Sequence, residues 1–403
     1  MLFKQKELRM RLIFTWLILF SIPVFVQART ESDYLLSDRD TTLVDQFFGL
    51  FETQEGADIP EAQRSKRKQV DELLNALTQR DGQLQFNGVA TASLQTELVH
   101  KPNYQGVGSF DIFAFTSFGK HTILFFDLEA VGGDGPDQII PNLSGLNADA
   151  GSTQSDEGID HLVVLEAWAE FRALKDLLTV NVGKIDVTNY FDNNLHANDE
   201  TSQFLSGAFV NSAALPAPIN APGIRLRTSF VNRFYLQFAL SSLDNSGDDL
   251  MRNHFKIAET GFMLFPNTDW EANFRIYGFE HPAAGHSRGF GLSVDELVAG
   301  RFTVFGRYAK NEKKLAEWFG VEQAWSFGLG FKQLFLNREF NVGLAYGQTD
   351  PQALDAPEKL AELYISNQFN QWVYLSPHLQ WLDPATANQK EHVLVGLRIN
   401  FSY

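Results

Sequence analysis

The chain has 403 residues, with 33 Lys and Arg against 49 Asp and Glu, and its net charge of −16 argues against nucleic acid as a partner. It contains no Cys, so disulfides, thiolate chemistry and Cys-ligated metals are ruled out. Hydrophobic residues make up 44%, mean hydropathy is −0.17, and after Val26 no stretch approaches the length of a membrane helix. A β-barrel escapes that limit, because only alternate residues face lipid.

The N-terminus reads as an address. Lys4, Lys6, Arg9 and Arg11 precede an apolar run from Leu12 to Val26, and Val26-Gln27-Ala28 is a small-x-Ala cleavage pattern. Residues 1–28 are therefore expected to be a signal peptide. Residues 29–85 are expected to form a periplasmic helical extension. Val44, Phe47, Phe48 and Phe51 share one helical stripe, and Val70, Leu73, Leu74 and Leu77 share another in the highly charged stretch from Glu61 to Arg80. A plug, a contact with the envelope, or a short helix packed on a barrel mouth would each fit this segment.

From Phe86 onward the pattern is strands. Sixteen are expected, at 86–98, 108–118, 121–130, 162–172, 178–187, 223–231, 233–242, 255–265, 269–279, 287–297, 301–310, 323–333, 339–348, 359–369, 372–381 and 391–403. Alternate connections are tight, as at Gly119-Lys120 and Ala299-Gly300. Those between them are long and polar, as at 131–161 and 188–222. An even strand count with short turns on one side and long loops on the other marks an all-β fold, a closed antiparallel transmembrane β-barrel over 86–403.

The last strand shows the two faces most clearly. Val393, Val395, Leu397, Ile399, Phe401 and Tyr403 form one apolar row, and Gly396, Arg398, Asn400 and Ser402 point the other way. Ile224, Leu226 and Phe230 likewise oppose Arg225, Arg227 and Ser229, while Trp270, Phe274 and Ile276 oppose Glu271, Arg275 and Tyr277. Trp270, Trp325, Trp372 and Trp381 sit near strand ends, where an interfacial belt would place them. A wall carrying these charges is not expected to be a dry core, and about sixteen strands enclose an aqueous channel.

One stretch is more specific. Gly183-Lys184-Ile185-Asp186-Val187-Thr188-Asn189-Tyr190-Phe191-Asp192-Asn193-Asn194, followed by Ala197-Asn198-Asp199-Glu200-Thr201 and Gln203-Phe204-Leu205, resembles the signature of the carbohydrate-selective porin (OprB-type) family. Leu165-Glu166-Ala167-Trp168, Phe305-Gly306-Arg307-Tyr308 and Val395-Gly396-Leu397-Arg398-Ile399 resemble other parts of it. The terminal Tyr403, where Phe is usual, and His378 depart from the pattern, and residues 29–85 lie outside the match. The resemblance implies passive diffusion of sugars across a bacterial outer membrane, with outer-membrane lipid around the barrel, sugars as permeants and no cofactor.

A sugar channel needs charged groups for hydroxyls and aromatic rings for the apolar ring faces, each weak enough to release. The candidates are Glu166, Trp168 and Glu170 on one face, the step of Arg225 and Arg227, the mixed set Glu271, Arg275 and Tyr277, and Asp186, Asp192, Arg307 and Arg398. For each, a structural ion pair that merely fills the lumen is the alternative. Loop 188–222, with an apolar, proline-rich end from Ala213 to Pro222, is expected to fold into the lumen as the constriction. Loop 131–161 carries Gly132-Gly133-Asp134-Gly135-Pro136-Asp137, an Asp/Gly run of a kind that can bind calcium. It lacks the full twelve-residue loop, so an ordinary solvated loop is expected. No glycine-rich phosphate loop, zinc helix or lipid-facing Ser–His set points to an enzyme. A general diffusion porin, or a non-conducting barrel anchored through residues 29–85, would show the same strand pattern.

Overall fold

A strand whose two faces differ this sharply needs lipid on one face and polar surroundings on the other, and its backbone needs partners on both edges. Closure into a barrel supplies all three. The structure is a computed structural model that describes residues 82–402, except 100–102, 120, 150–160, 175–176, 231–232, 249, 336–337, 355, 371 and 386–389. The expected signal peptide and nearly all of the expected extension lie outside the described residues.

Sixteen antiparallel strands form the barrel: β1 Gln85–Glu97, β2 Tyr104–Phe118, β3 Thr122–Gly133, β4 His161–Ala173, β5 Leu178–Ile185, β6 Ala221–Phe230, β7 Phe234–Ser241, β8 Phe255–Leu264, β9 Ala272–His281, β10 Ser287–Val298, β11 Phe302–Asn311, β12 Val321–Phe335, β13 Arg338–Pro351, β14 Glu358–Gln368, β15 Val373–Asp383 and β16 His392–Ser402. Each pairs with its sequence neighbours, and β1 closes on β16 with Ala92 opposite Ile399. The sixteen expected strands are the sixteen found. Among the described residues two short helices, α1 Gly207–Val210 and α2 Lys313–Phe319, lie in long loops. Both ends of the barrel fall on the short-turn side. There β10 turns into β11 through Ala299 and Gly300, both at positive φ (52° and 64°), as a tight hairpin requires.

The faces sort as the last strand suggested. Leu397 and Phe401 are exposed on the outside, whereas Arg398, between them, is 1% exposed inside. Strand β4 reaches this sorting through a bulge. Leu128 pairs with Val164 and Asp127 pairs with Glu166, so Leu165 is an extra residue. Leu162 and Val164 therefore face out while Glu166, Trp168 and Glu170 face in, although all five are even-numbered. Lys184 donates through Nζ to the carbonyl of Val164 beside the bulge. Its neighbour Gly183, at φ +141°, lies so close to Trp168 that a Cβ there would stand 2.6 Å from the tryptophan Cα. The Gly183-Lys184 motif thus fits the bulge.

A second device repeats along the inner wall. Tyr235, Tyr277, Phe279, Phe305 and Tyr364 stand directly opposite Gly261, Gly291, Gly289, Gly328 and Gly343 on neighbouring strands. In each pair the ring lies over the glycine, and an added Cβ would come within 2.3 Å of it. The rings lie flat against the wall instead of standing into the lumen.

The inner wall is drier than its charges suggest. Phe113, Phe115, Phe125, Trp168, Phe255, Tyr277 and Phe279 point inward and pack with Ile185, Val187, Tyr190, Phe191 and Leu215 in a buried apolar cluster. Many of these belong to the loop after β5. The wall expected not to be a dry core is dry locally: where the loop leans on it, apolar side chains fill the gap.

Candidate functional site in the barrel lumen

Two loops leave the long-loop side and fold inward. The first, residues 186–220 between β5 and β6, meets the wall at residues spread over much of the circumference. Glu259 of β8 accepts from the N–H of Asp192 at 3.1 Å, and Gln237 of β7 donates to the carbonyl of Tyr190 at 2.6 Å. Arg307 of β11 grips the loop most firmly. It donates to the carbonyls of Asp192 and Phe209 and to Asn198 Oδ1, and its Nε lies 3.2 Å from the Asp192 carboxylate. On the far side Glu362 of β14 accepts from the N–H groups of Leu205 and Ser206, at 2.8 and 2.9 Å. Arg398 of β16 donates to the carbonyls of Glu200 and Gln203. Between β5 and β14 lie nine strand steps one way and seven the other, so the loop crosses close to a diameter.

The second loop corrects an expectation. Residues 134–149, between β3 and β4, do not form an ordinary solvated loop. Ile140 and Leu146 are buried, and the segment bonds to strands far along the chain. Leu143 N–H donates to Glu358, Ser144 Oγ lies 3.0 Å from Thr349 Oγ1, and Gln380 donates to the carbonyl of Leu146. This loop also clasps the first one. Ala148 N–H donates to the carbonyl of Leu205, and Ser206 Oγ and Gly207 N–H both donate to the carbonyl of Gly145. The Asp137 carboxylate is taken up by the N–H groups of Leu146 and Asn147 and by Asn142, so it serves as a turn cap. Burial pushes the Asp137 carboxyl above its usual range, and these hydrogen bonds oppose the shift. In the same way burial pushes Asp192 up, while Arg307 and the N–H of Ser212 pull it back.

A belt of polar side chains runs around the wall beneath the first loop. Asn181 of β5 donates to Glu170 of β4. Arg225 of β6 bridges Asn181 and Gln237, and Gln237 donates to Glu259. Tyr235 donates to the same Glu259 oxygen at 2.7 Å. Farther round, Arg275 of β9 pairs with Asp295 of β10. Each buried charge here has a hydrogen-bonded partner, as low-dielectric surroundings require.

The predicted residues divide by this geometry. Glu166, Trp168 and Glu170 do share the inner face, with Trp168 Nε1 donating to Glu166 at 3.0 Å and its ring stacked on Phe125 at 4.8 Å. Glu166 also accepts from the N–H of Asp186. Asp186 itself caps Thr188 where β5 ends. Arg225 and Arg227 lie over the rings of Tyr190 and Tyr235, at 4.2 and 4.3 Å. Arg225 is buried in the belt and Arg227 is half-buried, so they do not form one exposed step. The expected pair of Glu271 with Arg275 is not formed: Glu271 holds the short turn through the N–H of Asn267, and Arg275 turns to Asp295. Tyr277 lies over Gly291. Asp192, Arg307 and Arg398 hold the crossing loop. Sequence reasoning missed Asn181, Glu259, Asp295 and Glu362. Their signal was present in the inward parity of strands already drawn, but nothing local distinguishes a residue that pegs a loop from one that merely faces water.

No family model matches the sequence. A relative from Aquifex aeolicus (strain VF5), itself an uncharacterized protein, is 25% identical over 240 residues, covering 60% of this chain and 69% of the relative. Among solved structures, the high pH structure of Pseudomonas putida OprB is similar with a TM-score of 0.67 at 14% identity, covering 86% of this chain and 100% of that one. In-vitro folded OmpT, an outer membrane protein of Vibrio cholerae in trimer form, gives 0.51 at 10% identity, covering 80% of this chain and 100% of that one. At these identities the likeness is one of fold alone: a closed antiparallel β-barrel, here of sixteen strands.

Proposed function

We propose that the protein is a channel of the bacterial outer membrane through which small solutes, and preferentially sugars, diffuse passively. The observation that carries this reading is the crossing loop. Residues 186–220 are pegged to β8, β11, β14 and β16 by Glu259, Arg307, Glu362 and Arg398, inside a barrel whose outer rows are apolar. A loop fixed this way narrows the lumen with polar groups at a defined place, which suits size- and hydroxyl-selective passage. The porin-like fold and the family resemblance of the Gly183 to Phe204 stretch support the same reading. Candidate sugar contacts are the half-buried Arg227 and Asp186 and the polar groups the loop presents.

Liposome swelling tests it. Vesicles carrying the full chain should swell faster in monosaccharide than in uncharged amino acids of equal size. Equal rates at equal size would leave a general diffusion porin. An absence of conductance steps in planar bilayers after verified insertion would remove both channel readings.

A further inference from the structure

The mouth on the long-loop side carries an aromatic feature that the constriction does not use. Helix α2 lies in the loop between β11 and β12. Its Leu315 is fully buried with Phe255, Phe279 and Ala284, so the helix packs over the inner rows of β8 and β9. Three residues on, Trp318 is 49% exposed. Its ring centroid lies 4.2 Å from that of His281, and Phe319 follows at 6.3 Å from Trp318, nearly parallel. His281 is the last residue of the inward row that includes Tyr277 and Phe279, and it is 4% exposed. The indole therefore stands over the lumen wall at the entrance, not on the lipid-facing row that carries Ile276 and Glu280.

Two details set this tryptophan apart from the belt residues Trp270 and Trp372. It is supported from beneath by a buried imidazole, which fixes one of its faces and leaves the ring half open. The Nδ1 of that imidazole has no hydrogen-bond partner among the described residues, so a polar group stands unsatisfied at the foot of the platform. A buried polar atom without a partner is costly, and a hydroxyl or water held at the indole edge would relieve it. A half-open aromatic face over an unsatisfied imidazole nitrogen matches one ligand chemistry: a neutral ring with an apolar face and peripheral hydroxyls.

We propose that Trp318, backed by His281, is an entry subsite at which a sugar ring stacks before it reaches the constriction. The proposal rests on the sugar reading of the channel and adds a place and a direction to it. Stacking at the mouth raises the chance that an arriving sugar is held and passed inward, so it acts on capture from the long-loop side.

The test is sugar-dependent block of single-channel current, with D-glucose or maltotriose added to one side of a bilayer holding the full chain. Wild type is compared with Trp318→Ala and Trp318→Tyr, and the electrophoretic shift of the folded barrel confirms that each variant is intact. The ratio of long-loop-side to short-turn-side on-rates should fall about three- to tenfold in Trp318→Ala, the worth of one aromatic contact, and recover in Trp318→Tyr. An unchanged ratio in Trp318→Ala overturns the subsite while the sugar reading stands. A loss that Trp318→Tyr does not recover also overturns it, because stacking would not be its cause. Wild type showing no sugar block from either side overturns both readings.

Discussion

At the scale of single residues, the inward glycines do more than save space. Gly291 lies under the ring of Tyr277, and a Cβ at that position would come 2.1 Å from the ring. Two effects then compete for Gly291→Ala. Replacing a strand glycine ordinarily gains roughly 0.5–1 kcal/mol from the unfolded chain. Forcing an atom into a packed site costs roughly 1–3 kcal/mol. Tyr277 is 1% exposed, so its ring has nowhere to lift without displacing the loop packed on it, and the clash should win. Gly291→Ala should lower the thermal midpoint of the folded barrel followed by circular dichroism. In the Tyr277→Ala background the same change should be neutral or stabilising, which the double-mutant cycle would read as coupling. Gly106→Ala is the control. Its Cβ would meet ordinary contacts at 3.7 and 3.8 Å, so no loss is expected there.

At the scale of elements, strands and loops differed in how much the sequence disclosed. A strand is legible because lipid and lumen impose opposite demands on alternate residues, and Val393 to Phe401 carries that record within the eleven residues of β16. The bulge at Leu165 was not legible. One extra residue shifts parity without changing composition, and Glu166, Trp168 and Glu170 look the same on either side of it. The inward fold of residues 134–149 was also hidden. Its contacts join Leu143 to Glu358 and Ser144 to Thr349, across 215 and 205 positions, and no local pattern encodes such partners. That contact gives a direct check, made clean by a chain without Cys. Ser144→Cys with Thr349→Cys replaces two hydroxyls 3.0 Å apart, close enough for a disulfide after a small shift. Under oxidation the pair should crosslink completely, seen as a mobility change on a non-reducing gel. By the chain-entropy model, closing so long a loop should stabilise the barrel by roughly 5 kcal/mol. Thiols that remain fully reactive to a maleimide would show that the loop is not seated on β13.

At the scale of the whole molecule, charge is sorted around the lumen as well as balanced within it. Strands β1, β2 and β3 contribute Glu97, Asp111, Asp127 and Glu129 to the inward rows and no Lys or Arg. Arg225, Arg275 and Arg307 stand on β6, β9 and β11, and β11 is eight steps from β3 in a ring of sixteen. An acidic arc therefore faces a mixed one, in which the arginines alternate with Glu259, Glu271 and Asp295. Such a field orients water and polar solutes across the path, and it favours neutral hydroxylated molecules over ions that must leave one wall to pass the other. Arg225, Arg275 and Arg307 are tied to Gln237, Asp295 and Asp192, so much of their charge is neutralised in place. The chain as a whole is at −16, and an excess of acid favours cations over anions in a narrow aqueous path. The ionic current that does flow should then be carried mainly by cations. In a potassium chloride gradient the reversal potential should give a K⁺ to Cl⁻ permeability ratio above one. Asp111→Asn with Glu129→Gln removes two charges that are directly opposed on β2 and β3, and it should bring the ratio down towards one. A ratio below one in the wild type, or one that the double variant leaves unmoved, would place the selective charge on the arginine wall instead.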